Sequence, residues 1–334
     1  MLKKECERLK KETYVEELVE GDEISEMFAI KEKTPPKEYA KGWYFRLMVG
    51  DKTGKIPLVY WGGSEERAVR RLYDTLKVGD VIEVRGVVSS YKGEEQISIN
   101  EKELHGLERV KKDEYDAEEY IPSTKKDIDD MFTELLQLAR TIEDENLYSL
   151  VSSFLKDEGF VGRFKKAPYS KRYAYNYLGG LLEHTLVESR LADHVSDIYP
   201  ELDRDLLLAS AIVHDFGKVK EYNTTTSIEL TNEAQLVGHT VMCERMIKEK
   251  IEEMSDFPEE LGLKLSHIVL SHHGDYEWGS PRSPRTEEAV ALHHIDLLAV
   301  RLSGFIQAKE EFGPEDEEMI YVSKEGIQRP IFNR

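Results

Sequence analysis

Hydrophobic and polar positions follow two different patterns along the chain, with the change between about residues 108 and 126. From Glu23 to about His105, short apolar runs are separated by turn sequences such as DKTG at 51–54 and YKGE at 91–94. One helical stretch, SEERAVRRLYDTL, separates the third run from the fourth. Five strands with a helix between the third and the fourth is the order of an OB-fold, so this part is predicted to form a five-stranded β-barrel.

After the barrel the apolar positions recur with the period of a helix, from Asp127 to about Glu311, which predicts an all-α domain. The stretch between the two patterns has mixed charge, few apolar residues and Pro122, which is typical of a linker. The tail is predicted to be irregular, either packing back onto the helices or forming a homo-oligomer contact. The predicted protein therefore contains both α and β domains: a charged helix at 1–20, the OB-fold at 21–108, a linker at 109–125, the helical domain at 126–312 and a tail at 313–334.

The charge balance limits how the chain can meet nucleic acid. It has 334 residues and a formal net charge of −20. This charge repels a polyanion at long range and argues against a nonspecific polyanion coat. Any contact with nucleic acid is therefore expected to be local, through a basic groove or a metal ion.

Two further features bear on the compartment. The only cysteines, Cys6 and Cys243, lie far apart in different predicted elements, so no disulfide framework is expected. The N-terminus is charged, and no apolar run approaches the roughly 18 residues that span a bilayer. We therefore expect a cytoplasmic protein with no membrane partner.

The candidate chemistry lies in the helical part of the chain. Nine of the ten histidines fall between His184 and His294. His184 and His239 lie on apolar helical faces, and Asp296 lies in a helix so apolar that an unpaired carboxylate would be costly. The helical run SAIVHDFGKV likewise ends in the adjacent pair His214 and Asp215.

Any one of these histidines, taken alone, is best explained as a core residue satisfied by a neighbour. Taken together they are better explained as metal ligands. Seven nitrogen and oxygen donors on different helices suit two metal ions that share one bridging carboxylate, with positions left for water and substrate. The predicted ligands are His184, His214, Asp215, His239, His272, His273 and Asp296.

The order H, HD, H, HH, D of these residues resembles the HD-domain phosphohydrolase superfamily. The strings GGLLEHT, HDFGKVKEY, LVGHT and SHHGDYEWGSPRSPRTEEAVALHHID, together with the preceding barrel, resemble the YhaM family of 3′-to-5′ exoribonucleases. The resemblance covers roughly residues 20 to 310. It implies an N-terminal OB-fold followed by an HD domain.

The resemblance also implies individual roles. His184, His214, Asp215 and Asp296 match the positions that bind one metal in dinuclear HD enzymes. Asp215 would bridge to a second metal held by His239, His272 and His273. Two such cations activate a water for in-line attack on phosphorus.

Two further residues are predicted to assist. Lys218 resembles a lysine that contacts substrate phosphate in the family, although a solvated lysine at a helix end is an equally ordinary explanation. His293 lies three residues before Asp296 on the same helical face and is predicted to orient a metal ligand.

Two surfaces are candidates for contact with a single strand. In the segment 164–180, basic residues lie among tyrosines, as expected of a groove that stacks bases and meets phosphates, or of a solvated loop whose tyrosines cover the core. In the strand GWYFRLMV, alternation predicts that Tyr44 and Arg46 face outward. Whether Tyr60 or Trp61 faces outward on the next strand stays open. The candidate cations of the segment are Lys165, Lys166, Lys171 and Arg172.

The favoured function is a metal-dependent exonuclease that binds single-stranded RNA or DNA on the barrel and releases nucleoside monophosphates in the HD domain. Two divalent ions are expected, with manganese favoured and iron, cobalt, nickel or zinc left open. One alternative is a hydrolase of small or cyclic nucleotides. A second is a single-strand-binding protein with a relic HD domain, which the complete ligand set argues against.

Overall fold

The computed structural model describes residues 9–100, 106–312, 319–324 and 327–332. Contacts within the chain divide it into two compact units. The first comprises Met1–Pro122 and Thr224–Ile228, and the second comprises Ser123–Asn223 and Glu229–Arg334.

The first unit contains the predicted OB-fold. Its elements are β1 (Glu23–Tyr39), β2 (Gly42–Gly50), β3 (Lys55–Trp61), α1 (Glu66–Thr75), β4 (Val81–Tyr91), β5 (Glu94–Asn100) and β6 (Leu107–Arg109). β1 pairs with both β2 and β4, and β3 pairs in parallel with β5, so each of the first five strands has at least two neighbours. The predicted strand order, with the helix after the third strand, is confirmed.

Alternation along β2 divides its side chains between the interior and the surface. Phe45, Leu47 and Val49 are buried in the core of this unit, whereas Arg46 is exposed. On β3, Tyr60 is buried and stacks on Phe45 at 4.9 Å between ring centroids. Trp61 is therefore the residue that faces outward, because successive side chains of a strand point to opposite sides.

The described part of the N-terminal segment does not form the predicted helix. Between residues 9 and 20 the only helical structure is a 3₁₀ turn at Val15–Glu17, and residues 1–8 lie outside the described residues. A carboxylate of β1 and one of the turn between β2 and β3 bind the segment in an extended form. Glu26 accepts from the backbone N–H groups of residues 12 and 13, and Asp51 accepts from that of Val15. These acceptors satisfy donors that a helix would otherwise have to pair.

Much of the predicted linker packs as part of the first unit. Tyr115 and Tyr120 are buried with Met27, Ala29 and Val81 in a small core of their own. Two large aromatic side chains are enough to fix this stretch, although its charged neighbours make it look like a solvated linker in the sequence. The first unit therefore continues to Pro122.

The second unit is helical, as predicted, and four of its helices begin at an aspartate cap. Asp127, Asp144, Asp157 and Asp203 each accept a hydrogen bond from a backbone N–H of the first helical turn. The helices are α2 (Ile128–Ala139), α3 (Glu145–Leu155), α4 (Glu158–Phe164), α5 (Gly180–Ile198), α6 (Arg204–Val213), α7 (Asn232–Val237), α8 (His239–Glu252), α9 (Glu259–Ser271) and α10 (Glu287–Phe312). A short hairpin, β7 (Tyr222–Thr224) and β8 (Ile228–Leu230), precedes α7.

The described parts of the tail are not irregular. They form two antiparallel strands, β9 (Met319–Lys324) and β10 (Ile327–Phe332). Ile331 is buried against Ala308 of α10, which agrees with a tail that packs back onto the helices. Pro330 lies within β10, and a proline inside a strand makes such a strand hard to recognise in sequence.

Among the described residues, α10 is the one helix that is long and apolar enough to cross a membrane by length and composition, over Glu287–Glu310. Its residues Ala289, Leu292 and Ile295 are buried in the core of the second unit. It also carries the buried carboxylate of Asp296. A core helix meets the same criterion, so this feature does not by itself indicate a membrane span.

Candidate metal centre

Five helices of the second unit bring eight imidazole and carboxylate side chains together. α5 carries two of them, the end of α6 and the turn after it carry two, and α8, α9 and α10 supply the others. Seven are the predicted ligands, and the eighth was not predicted. They are His184, Glu188, His214, Asp215, His239, His272, His273 and Asp296.

The HD pair is held in place by its two following residues. Phe216 packs among three other phenylalanines, and its closest ring centroid, that of Phe160, lies 4.7 Å away. Gly217 lies so close to the start of α8 that a Cβ atom there would be 2.2 Å from the carbonyl oxygen of His239. The sequence D-F-G thus fixes Asp215 and brings His239 toward it.

Four of the eight residues form a first group, which consists of His184, Glu188, His214 and Asp296. One donor atom from each lies within 4.8 Å of the others, and all four side chains are buried. The Oε2 atom of Glu188 is 3.2 Å from Nε2 of His184 and 3.3 Å from Nε2 of His214. The Oδ1 atom of Asp296 is 3.6 Å from Nε2 of His184.

A second group consists of His239, His272 and His273, whose donor atoms also lie within 4.8 Å of one another. Asp215 lies between the two groups. Its Oδ2 atom is 3.7 Å from Nε2 of His184 and 3.5 Å from Nε2 of His214. Its Oδ1 atom is 3.5 Å from Nε2 of His239 and 3.8 Å from Nε2 of His272. Each oxygen of this carboxylate therefore faces a different group.

The outer ring nitrogens of three histidines are fixed by acceptors. Nδ1 of His214 is 3.1 Å from the carbonyl oxygen of Ala211, and Nδ1 of His272 is 2.7 Å from that of Val269. Nδ1 of His239 is 3.2 Å from Oε1 of Glu221. Because a carbonyl oxygen only accepts, Nδ1 of the first two rings carries the proton. In the neutral ring, Nε2 then directs a lone pair into the centre, which is how metal-ligating histidines are oriented.

The inward-facing atoms are buried and, among the described residues, have no hydrogen-bond partner. Burying so many polar atoms without partners is unfavourable unless something else binds them. Nitrogen and carboxylate oxygen donors are the ligands of divalent transition metals, so the centre fits a divalent metal ion. The atoms are Nε2 of His184, His214, His239 and His272, and both carboxylate oxygens of Glu188 and Asp215.

Without a metal ion, the carboxylates of the centre hold a proton on one ring. Burial lowers the pKa of His214, but Glu188 and Asp215 outweigh burial and raise it to about 10, and a metal ion would take the place of that proton. Burial lowers the pKa of His184 and His273 to about 4, which leaves both rings neutral at pH 7. Burial raises the pKa of Glu188 to about 8, and burial together with the charge of Glu188 raises the pKa of Asp296 to about 7. Several carboxylates therefore meet in a dry site, where a cation favours their ionised forms.

Lys218 lies beside the centre and is almost fully buried. Its Nζ atom is 3.9 Å from Oδ1 of Asp215, 3.7 Å from Oε2 of Glu221 and 4.3 Å from the ring centroid of Tyr169. Burial lowers the pKa of Lys218, but Asp215 and Glu221 outweigh burial and raise it above its usual value. The ammonium is therefore charged inside the site.

His293 contacts the main chain of a candidate ligand. Its Nδ1 atom lies 2.8 Å from the backbone carbonyl oxygen of His272. This contact lies at the end of α9, where the chain leaves the helix with two adjacent histidines. That His293 orients a ligand stays a prediction.

The segment 164–180 offers less open basic surface than its sequence suggests. Lys165 is 2.6 Å from Asp129, and Lys171 pairs with Glu229. Lys166 and Arg172 are exposed. The tyrosines largely face inward: Tyr169 and Tyr175 are buried, and Tyr169 lies 4.0 Å from His184 between ring centroids. The tyrosines of the segment therefore mostly cover the core and the centre.

The outer surface of the OB-fold carries an aromatic cluster, formed by Tyr39, Tyr44 and Trp61. Their ring centroids lie 5.0–5.9 Å apart, and all three are partly exposed. Arg46, also on this surface, lies 5.8 Å from the ring of Tyr44. The indole N–H of Trp61 donates to the hydroxyl of Ser98 at 3.0 Å. Tyr44 and Arg46 thus lie on one outward surface, as alternation predicted, and Tyr39 joins them because β1 is longer than its apolar run.

Two functional candidates, Glu188 and Glu221, escaped the sequence analysis, and Tyr169 was considered only as one of the tyrosines of the segment 164–180. Glu188 lies four residues after His184, a spacing that places both on one helical face. That spacing was the available signal, but it is also common among exposed glutamates. Glu221 and Tyr169 come close to the centre only through the fold, because each lies in a non-helical segment.

Comparison with known proteins agrees with both units. Residues 181–301 match the family described as the HD domain, and residues 32–106 match the OB-fold nucleic acid binding domain. The chain is 31% identical over 261 residues to the 3′-5′ exoribonuclease YhaM of Listeria innocua, covering 78% of this chain and 79% of that protein. It is 29% identical to the YhaM protein of Bacillus licheniformis, covering 94% and 97% of the two chains.

A further relative and one solved structure complete the comparison. The YhaM protein of Bacillus subtilis is 28% identical, with 94% of this chain and 97% of that protein covered. The p204 HINb domain, a solved structure, aligns with 26% of this chain and 41% of its own at 21% identity and a TM-score of 0.20, which is too low to add to the assignment.

Proposed function

Because the chain belongs to the YhaM family of 3′-5′ exoribonucleases, we propose that it degrades single-stranded RNA from the 3′ end and releases nucleoside monophosphates. Its HD domain carries the hydrolytic centre, and its OB-fold holds the strand. Single-stranded DNA is included as a substrate to be tested.

The observation that carries the proposal is the position of Asp215. Each of its two oxygens faces a separate group of histidine and carboxylate donors, and the inward-facing atoms of both groups have no other partner among the described residues. Each group would hold one divalent ion, and Asp215 would contribute one of its oxygens to each. Manganese is the expected metal, since carboxylate oxygens suit it, and Fe, Co, Ni and Zn are the competitors because the same donor set accepts them.

Bound divalent ions neutralise the charge of a phosphodiester and lower the pKa of a water molecule to the range where it attacks phosphorus. The side chains of this protein prepare the site for that step. His184 and His273 are neutral near pH 7, so they offer lone pairs without prior loss of a proton. Among the described residues, Lys218 is the one lysine whose ammonium group pairs with Asp215. This group is positioned to neutralise a phosphate oxygen.

Strand recognition is assigned to the aromatic cluster of the OB-fold and to Arg46. Aromatic rings stack on the faces of unpaired bases without strong sequence preference, and a nearby guanidinium meets the phosphates. Tyr39, Tyr44 and Trp61 are partly exposed, and stacking requires rings that a base can reach. The cytoplasmic location and assembly into a homo-oligomer stay predictions.

The test is a time course on denaturing gels. Metal-stripped wild type and the Asp215→Asn variant are given Mn²⁺ and a 5′-labelled single-stranded RNA, with the matching DNA in parallel. A ladder that shortens from the 3′ end in the wild type, and is absent without metal or in Asp215→Asn, is the expected result. The matched control is Asp193→Asn, since Asp193 pairs with Arg204 on the surface of the same unit.

Two outcomes would reject the exonuclease. An intact strand in the presence of bound Mn²⁺ would redirect the assignment to small nucleotides as substrates. Equal cleavage by Asp215→Asn would place the chemistry outside the centre.

A further inference from the structure

Glu188 is a buried carboxylate with no donor of its own. It lies in the middle of α5, is fully shielded from solvent, and neither of its oxygens accepts a hydrogen bond among the described residues. A buried carboxylate without partners is strongly unfavourable. Its retention in the core of a helical domain therefore calls for a partner that lies between it and its neighbours.

A second glutamate on the same helix shows what a structural carboxylate looks like in this protein. Glu183 is also buried, but the hydroxyls of Thr124 and Tyr177 donate to it at 2.6 and 3.0 Å, and Lys126 pairs with it at 2.9 Å. The protein therefore supplies that carboxylate with both hydrogen-bond donors and a counter-charge. Among the described residues Glu188 has no hydroxyl or lysine donor of this kind. Its Oε2 atom faces Nε2 of His184 and of His214 at 3.2 and 3.3 Å, and a carboxylate oxygen of Asp296 lies within 4.8 Å.

The ring nitrogen that Glu188 faces distinguishes a metal ligand from a carboxylate that only orients a ligating histidine. A carboxylate that orients a metal-ligating histidine accepts from the ring nitrogen that points away from the metal. Nδ1 of His214 is already directed at the carbonyl oxygen of Ala211, so Glu188 approaches the other nitrogen, Nε2. Oδ2 of Asp215 lies 3.5 Å from that same nitrogen. Glu188 and Asp215 therefore share the inward side of the ring, where a metal ion binds.

We propose that Glu188 is a direct ligand of the metal ion held by His184, His214, Asp215 and Asp296, so that this ion has five protein donors, three of them carboxylates. The inference rests on the proposed two-ion centre, and it adds a residue that influences which metal the centre prefers. Zinc in protein sites is usually satisfied by four ligands, whereas ions such as Mn²⁺ take six and prefer a larger share of oxygen. Glu188 would therefore matter more for Mn²⁺ than for Zn²⁺.

The experiment measures metal binding directly and does not depend on turnover. Metal-stripped wild type, Glu188→Gln and the control Glu183→Gln are dialysed against graded Mn²⁺ and, separately, Zn²⁺, and bound metal is counted per chain. We expect two Mn²⁺ in the wild type and in Glu183→Gln. In Glu188→Gln one Mn²⁺ should bind at least about tenfold more weakly, as loss of a ligating contact commonly causes, with a smaller change for Zn²⁺.

Thermal unfolding of the same samples separates a ligand from a structural carboxylate. Without metal, Glu188→Gln should melt at the same temperature as the wild type or higher, because it replaces a buried carboxyl that accepts no hydrogen bond from the described residues with a neutral side chain of similar size. The rise in Tm that Mn²⁺ causes should be smaller than in the wild type, because a weaker site stabilises less. A structural role predicts a lower Tm without metal and an unchanged Mn²⁺-induced rise.

The outcomes also distinguish this inference from the proposed function. If Glu188→Gln binds two Mn²⁺ as tightly as the wild type, Glu188 is not a ligand, while the two-ion centre stands. If the wild type itself binds no Mn²⁺ or Zn²⁺, the metal centre is rejected and the assignment of Glu188 with it.

Discussion

The metal centre of the second unit and the aromatic cluster of the first unit differ in what their surroundings reveal. The inward atoms of the centre are buried and unpartnered among the described residues, so the fold is unfavourable there unless a cation is added. The aromatic cluster is partly exposed, and the indole N–H of Trp61 already has a hydrogen-bond acceptor in Ser98. Buried polar atoms without partners thus indicate a bound ion in the centre. Exposed aromatic side chains are stable in water with or without a ligand, so their exposure alone does not indicate binding.

The largest effect on activity is expected when the charge of Asp215 is removed, which tests whether the buried centre binds metal ions. Asp215→Asn keeps the size of the side chain but removes the carboxylate that faces both groups of donors. Metal ions commonly contribute several kcal/mol to such reactions, so kcat is expected to fall by roughly three orders of magnitude. Steady-state hydrolysis of RNA in Mn²⁺ measures it, and a fall of less than about tenfold would reject the bridging role.

The next largest effect is expected from Lys218. Lys218→Met removes a buried charge positioned to meet a phosphate oxygen, and loss of one such group typically lowers kcat by about 100-fold or more. Lys220→Met, which changes an exposed lysine of the same 3₁₀ turn, should leave kcat unchanged. Equal rates for the two variants would make Lys218 a residue without a role in the reaction, and a loss of Tm that accounts for the lower rate would make it structural.

Variants of the aromatic cluster should weaken binding without changing the chemistry. Tyr44→Ala and Trp61→Ala each remove a stacking surface worth about 1–3 kcal/mol per base, which raises the Kd for a single strand roughly 5- to 150-fold. The kcat measured at saturating RNA should stay the same, because neither residue belongs to the metal centre. Tyr91→Ala, at an exposed aromatic of the same unit, is the control. Unchanged affinity in both cluster variants would remove the OB-fold surface from strand binding.

The smallest effects are expected in the segment 164–180, where pairing with carboxylates has already neutralised some of the cations. Lys171→Ala should change RNA affinity by less than about twofold, because Lys171 pairs with Glu229 and an exposed pair contributes little. Arg172→Ala should reduce the slope of log affinity against log salt by about 0.7, as expected for one phosphate contact to a single strand. Equal salt slopes for wild type and Arg172→Ala would exclude this arginine from the path of the strand.

The sequence was informative where a residue type conflicts with its local pattern. Histidines and aspartates on apolar helical faces are costly, and the structure brings all seven predicted ligands together. Glu188 shows the limit of this reasoning. A glutamate four residues after a histidine is ordinary on a helix, and only the three-dimensional packing of α5 against α6 and α10 reveals that it is buried.

The same limit explains the differences in the fold. Alternation predicted the strands of the OB-fold, because one side of each strand fills a core. The N-terminal segment and the stretch that contains Tyr115 and Tyr120 are positioned by contacts with distant strands, such as the hydrogen bonds from Glu26 to the backbone. Local patterns carry no record of such contacts. The basic segment shows the converse error, since its tyrosines suggest a stacking surface but are largely core residues.

The central claim is that Asp215 joins two metal ions in one centre. The most direct measurement is electron paramagnetic resonance of the metal-stripped protein reloaded with two equivalents of Mn²⁺, on wild type, Asp215→Asn and Asp193→Asn. Wild type and Asp193→Asn are predicted to give the spectrum of a spin-coupled pair of Mn²⁺ ions, which Asp215→Asn loses. Uncoupled Mn²⁺ in the wild type, or a coupled pair that persists in Asp215→Asn, would contradict it.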